Sequence, residues 1–142
     1  MREWKEHGRR RLAEEAAVVV AEVLVATEAD ALVFVPGDPE RAWKRGDVAP
    51  RGLALALGRV WRVPVHDLLQ RVGAQPRQRG LSLVDRRRNV RGTVVATGRS
   101  PRKVCLVDDV YTSGATVDAC ASALRKAGAL RVEVVTLARA VR

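Results

Sequence analysis

One stretch of the sequence, 103–127, limits most strongly the folds that this chain can adopt. It begins with a short apolar run, passes through two adjacent acids and a glycine-containing turn, and continues in a pattern typical of a helix. The apolar run is too short for a buried helix, and it lacks the polar alternation of a half-exposed strand. It therefore predicts a strand covered on both faces, as in parallel sheets with helices on either side.

The rest of the chain alternates strands and helices in the same way. The patterns predict helices at Arg9–Ala26, Gly52–Val60, Ser82–Asn89 and Gly114–Ala127, the last closed by Gly128. They predict strands at Ala31–Val35, Val63–Leu69, Thr93–Ala96, Lys103–Val107 and Arg131–Leu137, and a polar loop over Gly73–Gly80. This order predicts an α/β fold, with a mostly parallel central sheet flanked by helices.

Length and composition exclude several classes of protein. The chain has 142 residues, 47% of them hydrophobic, which predicts one domain over 1–142 and excludes disorder throughout. The longest apolar run, Ala16–Ala21, is too short to span a membrane, and the N-terminus has no pattern of a signal peptide. Two cysteines, Cys105 and Cys120, are too few for a disulfide framework or a four-cysteine zinc site, so a reducing cytoplasm is the expected location.

The positive charge is concentrated in one segment. The formal net charge is +10, and residues 71–103 contain ten basic side chains against one acid, Asp85. Such a segment attracts polyanions, either nucleic acid or a phosphorylated small molecule. Arginine outnumbers lysine by 22 to four, so nucleotide bias in the genome is an alternative explanation for the overall excess.

The chemistry-bearing part of the sequence follows the strand at Lys103–Val107. Asp108 and Asp109 come first, and the segment Thr112-Ser113-Gly114-Ala115-Thr116 then opens the helix. Backbone N–H groups, hydroxyls and a helix N-terminus together make a phosphate site, and glycine lets the backbone approach the anion. Carboxylates repel phosphate but accept hydrogen bonds from vicinal hydroxyls. A ribose beside the phosphate therefore fits both halves of this string, the acidic pair and the 112–116 segment. For each half alone, a solvated turn or an ordinary helix cap is the favoured interpretation, but for the whole ordered string it is not.

The whole string resembles the phosphoribosyl-pyrophosphate (PRPP) signature of type I phosphoribosyltransferases, in which apolar residues, two acids and T-x-G-x-T follow in order. Further positions resemble the ComF-like, competence-associated family within that group. They are Lys5, Gly8, Leu12, Arg71, Gln78, Leu81, Arg86, the run Asn89-Val90-Arg91-Gly92 and the run Leu137-Ala138-Arg139. The resemblance covers nearly the whole chain from about Lys5 onward.

The resemblance implies a fold, an activity and a set of site residues. The fold would be that of type I phosphoribosyltransferases, and the reaction would move a 5-phosphoribosyl group between pyrophosphate and a nucleobase-type acceptor. Asp108 and Asp109 would be catalytic and hold the ribose, while the 112–116 segment would hold the 5′-phosphate. Pro36, Gly37, Arg71 and Arg86 would lie on the pyrophosphate side. Mg²⁺ would arrive on PRPP, with no metal-ligand set in the chain, and dimers are common in the superfamily.

Three departures from the family pattern leave alternatives open. Family members usually carry an N-terminal zinc ribbon with paired cysteines, which this sequence lacks, and Phe34-Val35-Pro36 replaces Pro-Val-Pro. Arg45-Gly46-Asp47-Val48-Ala49 replaces Arg-Gly-Phe-Asn-Gln beside the pyrophosphate loop. The last change favours a non-catalytic PRPP- or nucleotide-binding regulator as one alternative. A DNA-uptake accessory protein that contacts nucleic acid through 71–103 is the other.

Overall fold

A computed structural model describes residues 2–37, 50–72, 94–111 and 113–139. The helices are α1 (Arg2–Val23), α2 (Pro50–Trp61) and α3 (Ala115–Lys126). The strands are β1 (Ala31–Phe34), β2 (Val65–His66), β3 (Leu69–Arg71), β4 (Val94–Ala96), β5 (Lys103–Tyr111) and β6 (Arg131–Arg139). The predicted loop at 73–80 and helix at 82–89 lie outside the described residues.

Four strands form a parallel sheet in the order β2-β1-β5-β6. Leu32 lies between Val65 of β2 and Cys105 of β5, and Val104 lies opposite Val132 of β6. The two remaining strands, β3 and β4, pair antiparallel in a separate two-stranded sheet. The predicted fold class, a mostly parallel sheet flanked by helices, is confirmed.

The two faces of the central sheet have separate cores, because successive side chains of a strand point to opposite faces. On one face, α3, β3 and β4 pack over Val33, Val104 and Leu106. On the other, α1 and α2 pack over the alternate residues of the same strands, including Leu32 and Cys105. Covered on both faces, β1 has no exposed residue, which explains why its sequence shows no polar alternation.

Two strand predictions differ from the structure by more than two residues. The predicted strand Val63–Leu69 is two strands in different sheets, because the chain turns between His66 and Leu69, where the Leu68 carbonyl accepts from Thr97 N–H (2.9 Å). The predicted strand Lys103–Val107 continues to Tyr111. Its added residues pair with β6, so tertiary pairing outweighs the low strand propensity of the two acids.

No helix within the described residues is long and apolar enough to cross a membrane.

Candidate functional site

The two predicted acids lie within β5, near its carboxyl end. Asp108 pairs with Thr136 of β6 and is only 7% exposed, on the face that α3 covers. Asp109 is half-buried, as expected for the next residue of a strand. Its backbone N–H donates to Asp108 Oδ1 (2.9 Å), while its own Oδ1 accepts from Val110 N–H (2.8 Å). Both carboxyls are thus held at the edge where parallel sheets bind ligands.

The environment of Asp108 favours its protonated form. Burial raises the pKa of the Asp108 carboxyl to about 7, and the neighbouring Asp109 carboxyl adds to the rise through a hydrogen bond and its charge. The backbone N–H of Asp109 and the positive charge of Arg71 oppose the shift. The acidic pair therefore carries less than two full negative charges near neutral pH.

A bend at Ser113 and Gly114 leads into α3. Gly114 precedes the helix with φ of 76° and makes no side-chain cap, and its carbonyl accepts the first helical bond from Asp118 N–H (2.8 Å). Ser113 Oγ lies 3.4 Å from the backbone nitrogen of Ala115. Thr116 lies in the first turn of α3, whereas Thr112 lies outside the described residues. The first N–H groups of the helix have no partner within the helix, and together with the helix dipole they suit an anion.

Gly114 also has no room for a side chain. A Cβ at this position would collide with the Tyr111 hydroxyl and would lie 2.9 Å from Tyr111 Cζ. Tyr111 packs against the α3-side core, and the Arg139 guanidinium stacks over its ring at 5.8 Å from the centroid. The aromatic side chain thus sits directly against the turn.

We expect Gly114→Ala to lower the free energy of unfolding by about 1–2 kcal/mol, because a left-handed φ and the contact with Tyr111 both disfavour a Cβ. Urea unfolding of the two proteins measures the change. Gly98→Ala is the matched control, since its nearest neighbour, Leu68 Cδ2, is 4.0 Å away. Equal stability losses in the two variants would show that the turn does not require glycine.

Arg71, at the end of β3, connects two of the sequence-predicted site segments. Its Nε donates to the carbonyl oxygen of Pro36 (3.0 Å), just after β1. Its Nη1 is buried and has no hydrogen-bond partner among the described residues. The charge of Arg71 lowers the pKa of both Asp108 and Cys120, which lie on the same face of the sheet. A buried guanidinium nitrogen without a partner is costly, so this atom is available to an anionic ligand.

The structure therefore brings together residues that are far apart in the sequence. Arg71, at the end of β3, bonds to the Pro36 carbonyl after β1, and its charge acts on Asp108 near the end of β5. Gly37 follows Pro36 directly and is exposed, while Arg86 lies outside the described residues. The stacking of Arg139 on Tyr111 was not predicted, although both residues end neighbouring strands.

The two cysteines are buried core residues. Burial raises the pKa of the Cys105 thiol to about 11 and that of the Cys120 thiol to about 12. Both thiols are therefore protonated at neutral pH and poorly nucleophilic. The chemistry of the region rests on carboxyls, hydroxyls, backbone N–H groups and one guanidinium, a set suited to a sugar phosphate.

Similarity to known proteins shows the family and the fold of this chain. No protein-family model matches the chain. Competence protein F of Haemophilus influenzae is 37% identical over 116 residues, which cover 78% of this chain and 51% of that protein. The chain thus matches about half the length of this curated relative.

Solved structures with the same fold include three with TM-scores above 0.5. The allosteric regulatory enzyme of purine biosynthesis (0.57, 22% identity) covers 92% of this chain, and this chain covers 25% of it. Glutamine PRPP amidotransferase of B. subtilis has a TM-score of 0.57 and 24% identity, and the match covers 92% of this chain and 26% of that one. Purine phosphoribosyltransferase of Pyrococcus horikoshii has a TM-score of 0.53 and 20% identity, and the match covers 89% of this chain and 72% of that one. The chain belongs to the ComF-like family, named for competence protein F, and has the fold of the type I phosphoribosyltransferases.

Proposed function

We propose that this chain binds PRPP and transfers its 5-phosphoribosyl group to, or from, a nucleobase-type acceptor, with pyrophosphate as the other product. The observation that carries the proposal is the placement of Asp108 and Asp109 at the end of β5, directly before the glycine turn that opens α3. Carboxylates that would accept hydrogen bonds from ribose hydroxyls are then next to a site for an anion, as a ribose 5-phosphate requires.

Each part of PRPP has a matching group in this region. The N–H groups and hydroxyls of the 112–116 segment would bind the 5′-phosphate, and the two acids would accept hydrogen bonds from the 2′- and 3′-hydroxyls. Arg71, held by the Pro36 carbonyl, would direct its unpartnered Nη1 to the pyrophosphate. The Pro36–Gly37 segment would lie alongside that group.

The reaction needs placement and electrostatics more than a protein nucleophile. The bond from C1′ to the pyrophosphate oxygen breaks, the leaving group takes the electron pair, and a bond forms from C1′ to an acceptor nitrogen. The sugar becomes cationic in between. Asp109, and Asp108 in its ionised form, would favour that positive charge, and Arg71 would stabilise the leaving anion.

Mg²⁺ would enter with the substrate. Pyrophosphate oxygens are the hard ligands that this ion prefers, and it keeps several of its waters when bound in this way. Among the described residues no group of three or more His, Cys, Asp and Glu side chains is placed to hold a metal. The half-buried Asp109 carboxylate is the protein group best suited to contact such an ion through water.

Turnover with a panel of bases tests the proposed reaction. Purified chain, PRPP and Mg²⁺ are combined with purine and pyrimidine bases, and the release of pyrophosphate is measured. We expect release with at least one base, and its loss in Asp109→Asn. PRPP binding without turnover on any base would overturn the transferase and support a non-catalytic regulator, the alternative favoured by Asp47-Val48-Ala49.

A DNA-uptake role is the second candidate, because the matched relative is named for competence and 71–103 is strongly basic. Nucleic-acid binding through this segment would weaken steeply with salt and would survive Asp108→Asn. If Asp108→Asn abolishes nucleic-acid binding, the nucleic acid binds at the candidate site and not through 71–103.

A further inference from the structure

Tyr111, the only tyrosine of the chain, reaches the point at which α3 begins. It ends β5, and its ring packs against the core on the α3 face of the central sheet. A Cβ on Gly114 would collide with the Tyr111 hydroxyl and would lie 2.9 Å from Tyr111 Cζ. The hydroxyl end of this side chain therefore touches the backbone of the bend at Ser113 and Gly114.

The Tyr111 hydroxyl donates no hydrogen bond within the described part of the chain. The polar groups beside it have other partners. The Gly114 carbonyl accepts from Asp118 N–H (2.8 Å), and Ser113 Oγ lies 3.4 Å from the backbone nitrogen of Ala115. A phenol hydroxyl carries one proton, which it can rotate toward an acceptor. This proton is therefore available to a ligand at the bend, where the first N–H groups of α3 favour an anion.

Arg139 contacts the Tyr111 ring from the neighbouring strand. It ends β6, lies opposite Tyr111 in the parallel register, and places its guanidinium 5.8 Å from the ring centroid. No acid within the described ranges forms an ion pair with Arg139. A guanidinium is attracted to the electronegative face of an aromatic ring. With no competing carboxylate, this contact fixes the orientation of the ring and with it the position of the hydroxyl.

We propose that Tyr111 is a further binding residue of the candidate site: its hydroxyl donates to the anion that the 112–116 segment binds, and Arg139 positions its ring for this contact. The inference rests on the proposed function, in which that anion is the 5′-phosphate of PRPP. Tyr111 acts on the phosphate at one end of the ligand, whereas Arg71 acts on the pyrophosphate at the other. The hydroxyl thus contributes to the selection of sugars that carry a 5′-phosphate.

Calorimetric titration of Tyr111→Phe with ribose 5-phosphate and with PRPP tests the role of the hydroxyl. Phenylalanine keeps the ring and its packing, so the thermal transition should not change. We expect the affinity for both ligands to fall by the same factor, about ten- to a hundredfold, because each loses one hydrogen bond to a charged phosphate. Arg71→Met is the matched contrast, since it should weaken PRPP binding alone. Unchanged affinity for ribose 5-phosphate, or a loss accompanied by a lower thermal transition, would overturn the proposal.

A second variant tests the positioning by Arg139. Arg139→Gln should weaken ribose 5-phosphate binding about two- to fivefold, and it should have no further effect when combined with Tyr111→Phe, because it acts through the hydroxyl. Arg102→Gln, at an exposed position before β5, is the control for the loss of one positive charge. Losses that multiply in the double variant would show that Arg139 does not act through Tyr111.

Nuclear magnetic resonance shows the contact directly, because isotope labelling of tyrosine at Cζ gives a signal from Tyr111 alone. Ribose 5-phosphate should shift this signal with the affinity found by calorimetry, and ribose without phosphate should leave it in place. A signal that does not move at saturating ribose 5-phosphate would overturn the role of Tyr111 but not the proposed function. A wild-type chain that binds neither ribose 5-phosphate nor PRPP would overturn both.

Discussion

Asp108→Asn is expected to raise the free energy of unfolding by about 2–4 kcal/mol at pH 8 and to leave it unchanged near pH 4. Burial and the neighbouring Asp109 raise the pKa of this carboxyl from 3.8 to about 7 in the folded protein. The folded state therefore binds the proton more tightly than the unfolded chain does. The stability that this proton contributes is fully present below pH 3.8 and is lost as the pH rises through 7. Asparagine resembles the protonated form at every pH.

Urea unfolding of both proteins between pH 4 and pH 8 measures this effect. The amide oxygen that Asp108→Asn introduces can still accept from the Asp109 N–H, so the local bond is retained. Asp67→Asn, at an exposed position between β2 and β3, is the control and should change stability by less than about 0.5 kcal/mol at either pH. Loss of stability in Asp108→Asn at pH 8 would show that the ionised carboxylate is required for folding.

The same substitution should weaken PRPP binding, because an amide replaces one acceptor of the ribose hydroxyls. A variant that is more stable and binds less is the pattern expected where a residue is kept for function. A structural role for Asp108 would instead lower stability and binding together. Measuring both properties on one preparation separates the two roles.

Arg71→Met is expected to weaken PRPP binding by about ten- to a hundredfold while leaving ribose 5-phosphate binding nearly unchanged. Loss of a charged hydrogen bond to phosphate accounts for about 1.5–3 kcal/mol, which gives this range. The reason for the difference is that Arg71 serves the pyrophosphate side in our account, and ribose 5-phosphate lacks that group. Met keeps much of the length of the side chain but donates no hydrogen bond.

Calorimetric titration of the two ligands measures the difference. Arg102→Met, at an exposed position before β5, is the control for the loss of one positive charge and should affect both ligands little. An equal loss of affinity for both ligands in Arg71→Met would show that the substitution disturbs the whole region and does not act on the pyrophosphate alone. Unchanged PRPP affinity would remove Arg71 from the site.

The order of the elements could be predicted from the sequence because buried parallel strands and amphipathic helices have distinct patterns. The helix predicted from Gly52 begins two residues earlier, at Pro50, and the glycine predicted to close α3 lies directly after it, at Gly128. The continuation of β5 through Asp108 and Asp109 could not be predicted, since it depends on pairing with β6. The division of Val63–Leu69 depends likewise on β4, a distant part of the chain.

From residue patterns alone, the candidate site was predictable only where its residues are contiguous, and the resemblance to the family was needed to group Pro36 with Arg71. The acids and the glycine turn form one string, so their proximity follows from local geometry. The bond from Arg71 to the Pro36 carbonyl joins residues 35 positions apart, and no local pattern indicates it. The burial of Asp108 and the contact of Tyr111 with Gly114 also depend on packing, which the sequence does not specify position by position.

Calorimetric titration with PRPP, with and without Mg²⁺, on the wild type and on Asp109→Asn decides whether this chain binds PRPP. Asp109 is half-buried, so the same thermal transition in both proteins is the control that separates a loss of binding from a loss of folding. We expect Mg²⁺-dependent binding by the wild type and its loss in the variant. No heat at millimolar PRPP, or equal binding by both proteins, would contradict it.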